Sequence, residues 1–242
     1  LLLCEIHMTA WAYNTPGLED LQFLNWVIIN KNDKPWQNVF MGIVVDPDLG
    51  DANDDYIGCD TVNKLNLGYV YNGDNNDNIY GIAPPAMGMD FFKSPIIKST
   101  HDTLGLTSFV FFTNTGSAPP PCESDPNGEP VPAYNMLQGL KKNRTPFWSP
   151  PPAGQTQPVK SKFVYPGDPE TQTGWTETVG SYPNCDTLTV PNIVSPNPTG
   201  DRRFIFNSGR DDFSMPPGDT QNVVLAQFVA RGTSNVNSVT KL

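Results

Sequence analysis

A short acidic segment contains the side chains of this chain best suited to bind a metal ion. Positions 46–55 read DPDLGDANDD and are followed directly by YIGCD. Calcium takes about six to eight oxygen ligands from carboxylates, amide carbonyls and water. Six aspartates are therefore predicted calcium ligands: Asp46, Asp48, Asp51, Asp54, Asp55 and Asp60. Without a divalent ion, so many carboxylates in one bend would repel one another.

Two other interpretations of the acidic residues remain open. The segment starts like an EF-hand loop, but Gly50 comes one position early and no Glu closes the loop at the twelfth position, so it is not an EF-hand. Because Asp, Asn and Gly are ordinary turn formers, a solvated acidic turn is the simpler alternative to a calcium site. A second polar cluster, DNNDN at 74–78, could add ligands, although a plain turn is favoured there.

Other metals fit the sequence less well than calcium. Magnesium demands near-octahedral geometry and keeps several waters. The chain has two histidines, His7 and His101, which are far apart, and none of its four cysteines has C-x-x-C spacing. Zinc sites of the usual types are therefore not indicated.

Catalytic motifs are missing from the sequence. It contains neither G-x-S-x-G nor H-E-x-x-H, and two histidines leave little room for a Ser-His or Cys-His pair. Glycoside hydrolysis needs only two carboxylates, so a carbohydrate-active enzyme or glycan-binding module stays an alternative. Trp148 and Trp175 are the aromatic residues best placed for sugar contact, whereas Trp11, Trp26 and Trp36 fit a core role.

Composition limits the partners of the protein. The net charge is −10, and binding to nucleic acid needs clustered Lys and Arg instead. No apolar run approaches the roughly 20 residues that a membrane span requires. Charged residues make up only 17% of the chain, and 20 Gly and 25 Pro indicate many turns. We therefore expect a folded, turn-rich domain with no nucleic-acid partner and no membrane span.

The elements that would position these side chains are mostly strands. Short runs of β-branched and aromatic residues between turn formers predict strands at 21–30, 39–46, 67–71, 87–92, 107–113, 202–207 and 222–230. The first two should form a hairpin through the turn at 31–35. Helical spacing is confined to 133–142, and a further helix is expected to begin within 234–242. The predicted fold is all-β, a β-sandwich of immunoglobulin-like or jelly-roll-like type with at most one or two short helices.

Residues 114–200 differ in composition from the rest of the chain, because prolines interrupt every regular spacing of apolar residues there. We interpret this region as a long insertion in a single domain spanning 1–242, itself a fragment of a longer chain. An unstructured connection of that length is unusual in a compact domain. Its aromatic residues should therefore pack across the sandwich: Phe147, Trp148, Phe163, Tyr165 and Trp175. Cys122 and Cys185 could form a disulfide that restrains it, or remain free thiols.

An ordered series of motifs runs through the chain outside this insertion. It consists of residues 25–30, FMGI at 40–43, DPDLG at 46–50, DDYIGCD at 54–60, LGYVYN at 67–72, PPAMG at 84–88, GDRRF at 200–204 and PGDTQ at 217–221. The series resembles a β-rich domain, without an assigned activity, of large secreted bacterial proteins that often end in a type IX secretion sorting domain. The resemblance implies export, surface attachment and other domains of the same polypeptide as partners.

Three functions are compatible with these features. The first is a non-catalytic, calcium-binding structural or adhesion module of a secreted or cell-surface protein, whose partner could be an extracellular glycan or a cell-surface protein. The second is the carbohydrate-active enzyme or glycan-binding module. The third is an architectural spacer or filament subunit that assembles through terminal strands.

Overall fold

The computed structural model describes residues 2–61, 66–114, 119–186 and 192–242. Strands account for 41% of the structure and helices for 7%, which confirms the predicted all-β class. The strands are β1 (Cys4–Ala12), β2 (Leu21–Asn30), β3 (Phe40–Val45), β4 (Asp55–Asp60), β5 (Leu67–Asn72), β6 (Asn76–Asp77), β7 (Gly81–Ile82), β8 (Ala86–Lys93), β9 (Ile96–Ile97), β10 (Asp102–Thr103), β11 (Ser108–Thr113), β12 (Phe147–Ser149), β13 (Val159–Ser161), β14 (Arg202–Gly209) and β15 (Thr220–Ala230). The helices are α1 (Pro130–Leu137) and α2 (Asn235–Thr240), with one 3₁₀ turn at Pro121–Glu123.

Two antiparallel sheets form the sandwich. The large sheet has six strands in the order β1-β2-β15-β8-β5-β4, and the small sheet has three in the order β11-β14-β3. The remaining strands form two-residue or three-residue ribbons: β6 with β7, β9 with β10, and β12 with β13. Neither α1 nor α2 is long and apolar enough to cross a membrane.

The core lies between the two sheets. Ile57, Val70 and Leu225 of the large sheet are buried against the aromatic residues of the small sheet. Phe91 stacks on Phe206 across the interface, with 4.3 Å between ring centroids. Each fully buried side chain of this size contributes about 1.5–3 kcal/mol through removal from water. Burial of the whole apolar cluster between the sheets, to which this pair belongs, therefore holds the two sheets together.

Helix α2 covers part of the outer face of the large sheet. Val236 and Val239 pack there against buried tyrosines, which include Tyr56, Tyr69 and Tyr71. Ser234 caps the helix by accepting a hydrogen bond from the Asn237 amide. The helix expected within 234–242 is thus present, and it packs on the second face of strands β5 and β8.

The prediction of a hairpin between residues 21–30 and 39–46, which form β2 and β3, is wrong. β2 pairs with β1 and β15, whereas β3 pairs with β14 in the other sheet. Trp36 forms a bridge to Met215, and the Val39 amide donates to the carbonyl oxygen of Phe213 at 2.9 Å. These contacts lead the chain from one sheet to the other. The turn-forming residues at 31–35 predicted that the chain reverses direction there. They could not indicate whether the next strand joins the same sheet.

Both ends of the predicted helix also differ from expectation. The helix predicted at 133–142 begins earlier, at Pro130, and ends at Leu137. Proline suits the first helical turn, and Gly139, at φ +83°, adopts the left-handed conformation that stops a helix. β4 was not predicted as a strand, because its aspartates resemble a turn sequence.

The proline-rich region packs on the sandwich largely as predicted. Of its aromatic residues, Phe147, Tyr165 and Trp175 are buried in the core. The region also covers the edge of β4, because the Cys59 amide donates to Tyr165 O at 3.2 Å and the Ile57 amide to Glu177 Oε1 at 3.2 Å. A disulfide joins its two cysteines, Cys122 and Cys185. The other two thiols, Cys4 and Cys59, are free.

Candidate metal site

The acidic segment connects the two sheets of the sandwich. It starts after Val45, the last residue of β3, and ends at Asp55, the first residue of β4. Its tight path uses Gly50 at φ +78°, a left-handed conformation that glycine adopts without strain. The Asp51 carboxylate stabilises the next turn by accepting from the Asn53 amide at 3.0 Å. The segment is therefore a folded connection rather than an open loop.

One group of carboxylates, which we name the outer triad, consists of Asp46, Asp48 and Asp201. One oxygen from each side chain lies within 4.8 Å of the others. Asp201 directly precedes β14, and the antiparallel pairing of Phe204 with Val45 brings it beside the start of the acidic segment. Sequence reasoning missed Asp201, since only the pairing register of β14 with β3 could have indicated it.

The outer triad carries excess negative charge. Arg203 forms an ion pair with Asp46, with 2.8 Å between Nε and Oδ2. Burial raises the pKa of Asp48, and the nearby carboxylates of Asp46 and Asp201 raise it further. The Oδ1 atom of Asp201 is buried and has no hydrogen-bond partner. Among the residues that the structure describes, one cationic side chain, Arg203, thus forms an ion pair within a group of three carboxylates, and a divalent cation would stabilise this arrangement.

A second group, the inner pocket, consists of Asp51, Asp54, Asn72, Asp77 and the carbonyl of Leu49. Asp77 is only 2% exposed and accepts hydrogen bonds from the amides of Asp51 at 2.8 Å and Ile79 at 2.7 Å. Burial opposes its ionisation, but hydrogen bonds from backbone amides outweigh this effect and lower its pKa. Asp77 therefore carries a buried negative charge.

Close approach of the backbone makes the inner pocket possible. A Cβ atom on Gly50 would lie 2.4 Å from Asp77 Oδ2, so only glycine leaves room for this carboxylate. Asp77 belongs to the second polar cluster, at 74–78. That cluster forms β6 and a turn, and it also adds one carboxylate to the acidic segment.

Asn72 lies at the centre of the inner pocket. Its side-chain nitrogen donates to Asp54 Oδ1 in a short hydrogen bond, and to Leu49 O and Asp77 Oδ2, both at 3.4 Å. Burial raises the pKa of Asp54, and the neighbouring carboxylates of Asp77 and Asp51 act in the same direction. In the part of the chain that the structure describes, no Lys or Arg forms an ion pair with Asp51, Asp54 or Asp77.

Asp55, the first residue of β4, is also buried. Burial raises its pKa to about 8, and the carboxylates of Asp54 and Asp48 contribute in the same direction, while a hydrogen bond from the Leu49 amide at 3.2 Å opposes them. Its Oδ1 has no hydrogen-bond partner. Burial therefore favours the protonated form of this carboxyl at neutral pH.

The structure does not bring all six predicted ligands together. Asp46 and Asp48 lie in the outer triad, Asp51 and Asp54 in the inner pocket, and Asp55 is buried at the start of β4. Asp60 lies at the opposite end of β4, about 17 Å away at the usual rise of a strand. It lines a separate cavity with Tyr69 and Asp168.

The two tryptophans considered for sugar contact differ in exposure. Trp175 is buried, and its Nε1 donates to the carbonyl of Gly180 at 2.7 Å. Its ring is therefore not available to stack on a sugar. Trp148 is half-buried on β12, with the Lys160 ammonium 5.7 Å from its ring centroid.

Comparison with known proteins adds no functional assignment. No protein-family model matches the chain, and a search of curated proteins found no relative.

Proposed function

We propose that this chain is a non-catalytic, calcium-binding structural module of a secreted or cell-surface protein. The observation that supports the proposal most strongly is the outer triad, in which three carboxylate oxygens within 4.8 Å of one another face one arginine. Hard oxygen ligands of this kind suit calcium. The disulfide between Cys122 and Cys185 agrees with an oxidising, extracytoplasmic compartment.

The proposed role of the ion is to hold two parts of the sandwich together. Asp46 and Asp48 belong to the connection between the sheets, whereas Asp201 belongs to the approach to β14. An ion bound by all three fixes the end of the long proline-rich region to the start of the acidic segment. Because only the folded chain presents these ligands together, binding stabilises the folded state.

Calcium should raise the melting temperature of the protein. At free calcium 100 times the dissociation constant, binding to the folded state alone adds about 2.7 kcal/mol. For a chain of this length, that corresponds to a rise of about 5–10 °C. Thermal unfolding followed by circular dichroism, in excess calcium and in EGTA, measures the difference, and equal magnesium should give a smaller rise.

Two substitutions make this test specific to the outer triad. Asp48→Asn should reduce the calcium-dependent rise, because it removes one charged ligand. Asp211→Asn is the matched control, since Asp211 is exposed and lies outside both acidic groups. Identical melting curves for the wild-type protein in calcium and in EGTA would contradict the proposed function.

A second candidate function, the architectural subunit, is favoured by the exposed edge of the large sheet. The edge strand β4 is covered by the proline-rich region, whereas β1 pairs only with β2 in the described structure. Ile6 and Met8 are 58% and 60% exposed on this edge. We propose a second copy as the occupant: antiparallel pairing of two β1 strands about His7 places Ile6 of each copy opposite Met8 of the other.

This candidate predicts self-association that depends on β1. Sedimentation velocity over a range of protein concentrations should detect a dimer, and Met8→Lys should abolish it, because lysine on an edge strand opposes pairing. Ile82→Lys is the control, since Ile82 is also an exposed apolar residue, at 73%, but lies on β7. A wild-type protein that stays monomeric at the highest concentration would exclude assembly through β1.

A further inference from the structure

The outer face of the large sheet carries a group of aromatic side chains beyond the part that helix α2 covers. The group, which we name the aromatic platform, consists of Trp11, Tyr13, Phe23 and Phe92. We propose that the platform binds a neutral glycan, whose sugar rings stack on the exposed aromatic rings. The inference goes beyond the proposed calcium-binding function and does not depend on it.

Strand pairing places the platform on the face that points away from the core. Trp11 of β1 pairs with Phe23 of β2. Phe23 in turn pairs with Ala226 of β15, whose neighbour Leu225 is buried between the sheets. Because side chains alternate along a strand, the row that contains Trp11 and Phe23 faces outward. A tryptophan for which the sequence favoured a core role thus lies on the outer face.

An irregularity in β8 adds a further ring to the platform. The pairing of β8 with β15 shifts register between Phe91 and Lys93, which leaves Phe92 as the extra residue of a β-bulge. Phe91 points into the core, whereas the Phe92 ring lies edge-on to Phe23, with 5.4 Å between ring centroids. The bulge therefore turns Phe92 toward the outer face.

Phe23 holds the other rings of the platform in place. It is only 7% exposed, and Trp11 stacks on it with 5.4 Å between ring centroids and 14° between the ring planes. Tyr13 meets it edge-on at 5.9 Å. Phe92 is 63% exposed and Tyr13 is 49% exposed, whereas Trp11 is half-buried. The exposed rings are thus positioned before a ligand arrives, which reduces the entropy cost of binding.

Polar side chains with unused acceptor oxygens lie on the same face. Asn25 follows Phe23 by two positions in β2. Asp90 pairs with Ala226, and Asn222 lies four residues before Ala226, so both also face outward. The Oδ1 atom of each of these three side chains is buried and has no hydrogen-bond partner among the residues that the structure describes. The side chains themselves are partly exposed, and rotation about the soft terminal torsion turns this oxygen toward the surface.

The combination of rings and acceptors indicates the class of ligand. One side of a pyranose ring presents C–H groups, which are attracted to the electron-rich face of an aromatic ring. The edge of the same sugar presents hydroxyl groups, which donate hydrogen bonds. An apolar protein surface or a lipid tail would leave the oxygens of Asn25 and Asp90 without donors, which costs free energy. A glycan supplies both kinds of contact.

A second copy of the chain fits the platform less well than a glycan does. The net charge of −10 opposes contact between two copies, and the platform lacks the backbone hydrogen bonds with which an edge strand offsets such repulsion. A stable protein interface also takes about 20–30 residues from each side, many more than the rings and polar side chains of this patch. A neutral glycan meets no charge repulsion and needs only a small patch.

The test is a calorimetric titration of the full chain with soluble hexasaccharides of glucose, xylose, mannose and N-acetylglucosamine. We expect at least one of them to bind. Trp11→Ala and Phe92→Ala should each raise its dissociation constant about tenfold, because each removes one ring contact. Asn25→Ala should raise it about fivefold, because it removes a hydrogen bond that an apolar ligand would not make.

Trp148→Ala is the matched control, because Trp148 is also half-buried but lies on β12, outside the platform. It should leave the dissociation constant unchanged. Since Phe92 is 63% exposed, Phe92→Ala decides the question if Trp11→Ala does not fold. Binding that is lost in Trp148→Ala but kept in Phe92→Ala would overturn the proposal, as would no binding of any hexasaccharide. A wild-type dimer that Phe92→Ala dissociates, with no glycan bound, would assign this face to a second copy instead.

Discussion

Replacement of Arg202 by methionine should lower the free energy of unfolding by about 3–5 kcal/mol, the usual cost of leaving one buried charge without its partner. Arg202 and Glu177 are both buried, and Arg202 Nε lies 3.2 Å from Glu177 Oε1. The same carboxylate accepts hydrogen bonds from Asn197 and from the amide of Ile57 at the edge of β4. Loss of the guanidinium thus leaves a charge where the proline-rich region meets the large sheet.

A second substitution should restore part of the lost free energy of unfolding. In Arg202→Met with Glu177→Gln, the buried charge is gone, and the amide oxygen can still accept from Ile57. Urea unfolding of the single and double variants measures the difference. Arg210→Met is the matched control, because its ion pair with Asp212 is exposed and should contribute only about 0–1 kcal/mol. A double variant less stable than Arg202→Met alone would show that the guanidinium acts through packing instead of charge.

Removal of the disulfide should lower the free energy of unfolding by a similar amount. The bridge joins residues 63 positions apart, and closing a loop of that length restricts the unfolded chain by about 4 kcal/mol in the chain-entropy model. It also holds the two ends of the proline-rich region, whose aromatic residues fill the core. We therefore expect Cys122→Ser with Cys185→Ser to lose about 2–5 kcal/mol in urea unfolding.

Two controls accompany the disulfide variant. A reducing agent should destabilise the wild-type protein by a similar amount and leave the double variant unchanged. Cys4→Ser should change the free energy of unfolding by less than about 0.5 kcal/mol, because Cys4 is an exposed free thiol. Equal stability of the oxidised wild type and the double variant would mean that the core alone holds this region in place.

Local patterns predicted seven of the nine strands in the two sheets and missed β1 and β4. β2 has the predicted bounds, Leu21–Asn30, since its apolar run is bounded by clear turn formers. The strand β4 was missed because Asp55 and Asp60 at its ends are turn formers in other contexts. In the fold, Asp55 is buried by the surrounding segments, and this could not be read from its immediate neighbours.

Contacts between distant segments could not be predicted in the same way. The acidic segment itself was evident, but its partners were not: Asp201 arrives through the pairing of β14 with β3, and Asp77 through the close approach allowed by Gly50. Which sheet the chain joins after β2 also depends on contacts between residues that are far apart in the sequence. The sequence therefore predicted the fold class and the acidic segment, while the grouping of Asp46 and Asp48 with Asp201 emerged only from the topology.

The most direct test of calcium binding is an anomalous difference map, collected at long wavelength, from a crystal of the full chain grown in calcium chloride. We expect one peak within about 2.6 Å of carboxylate oxygens from Asp46, Asp48 and Asp201. A map without a peak at this position, with these side chains turned toward solvent, would contradict the proposal that calcium holds this connection together.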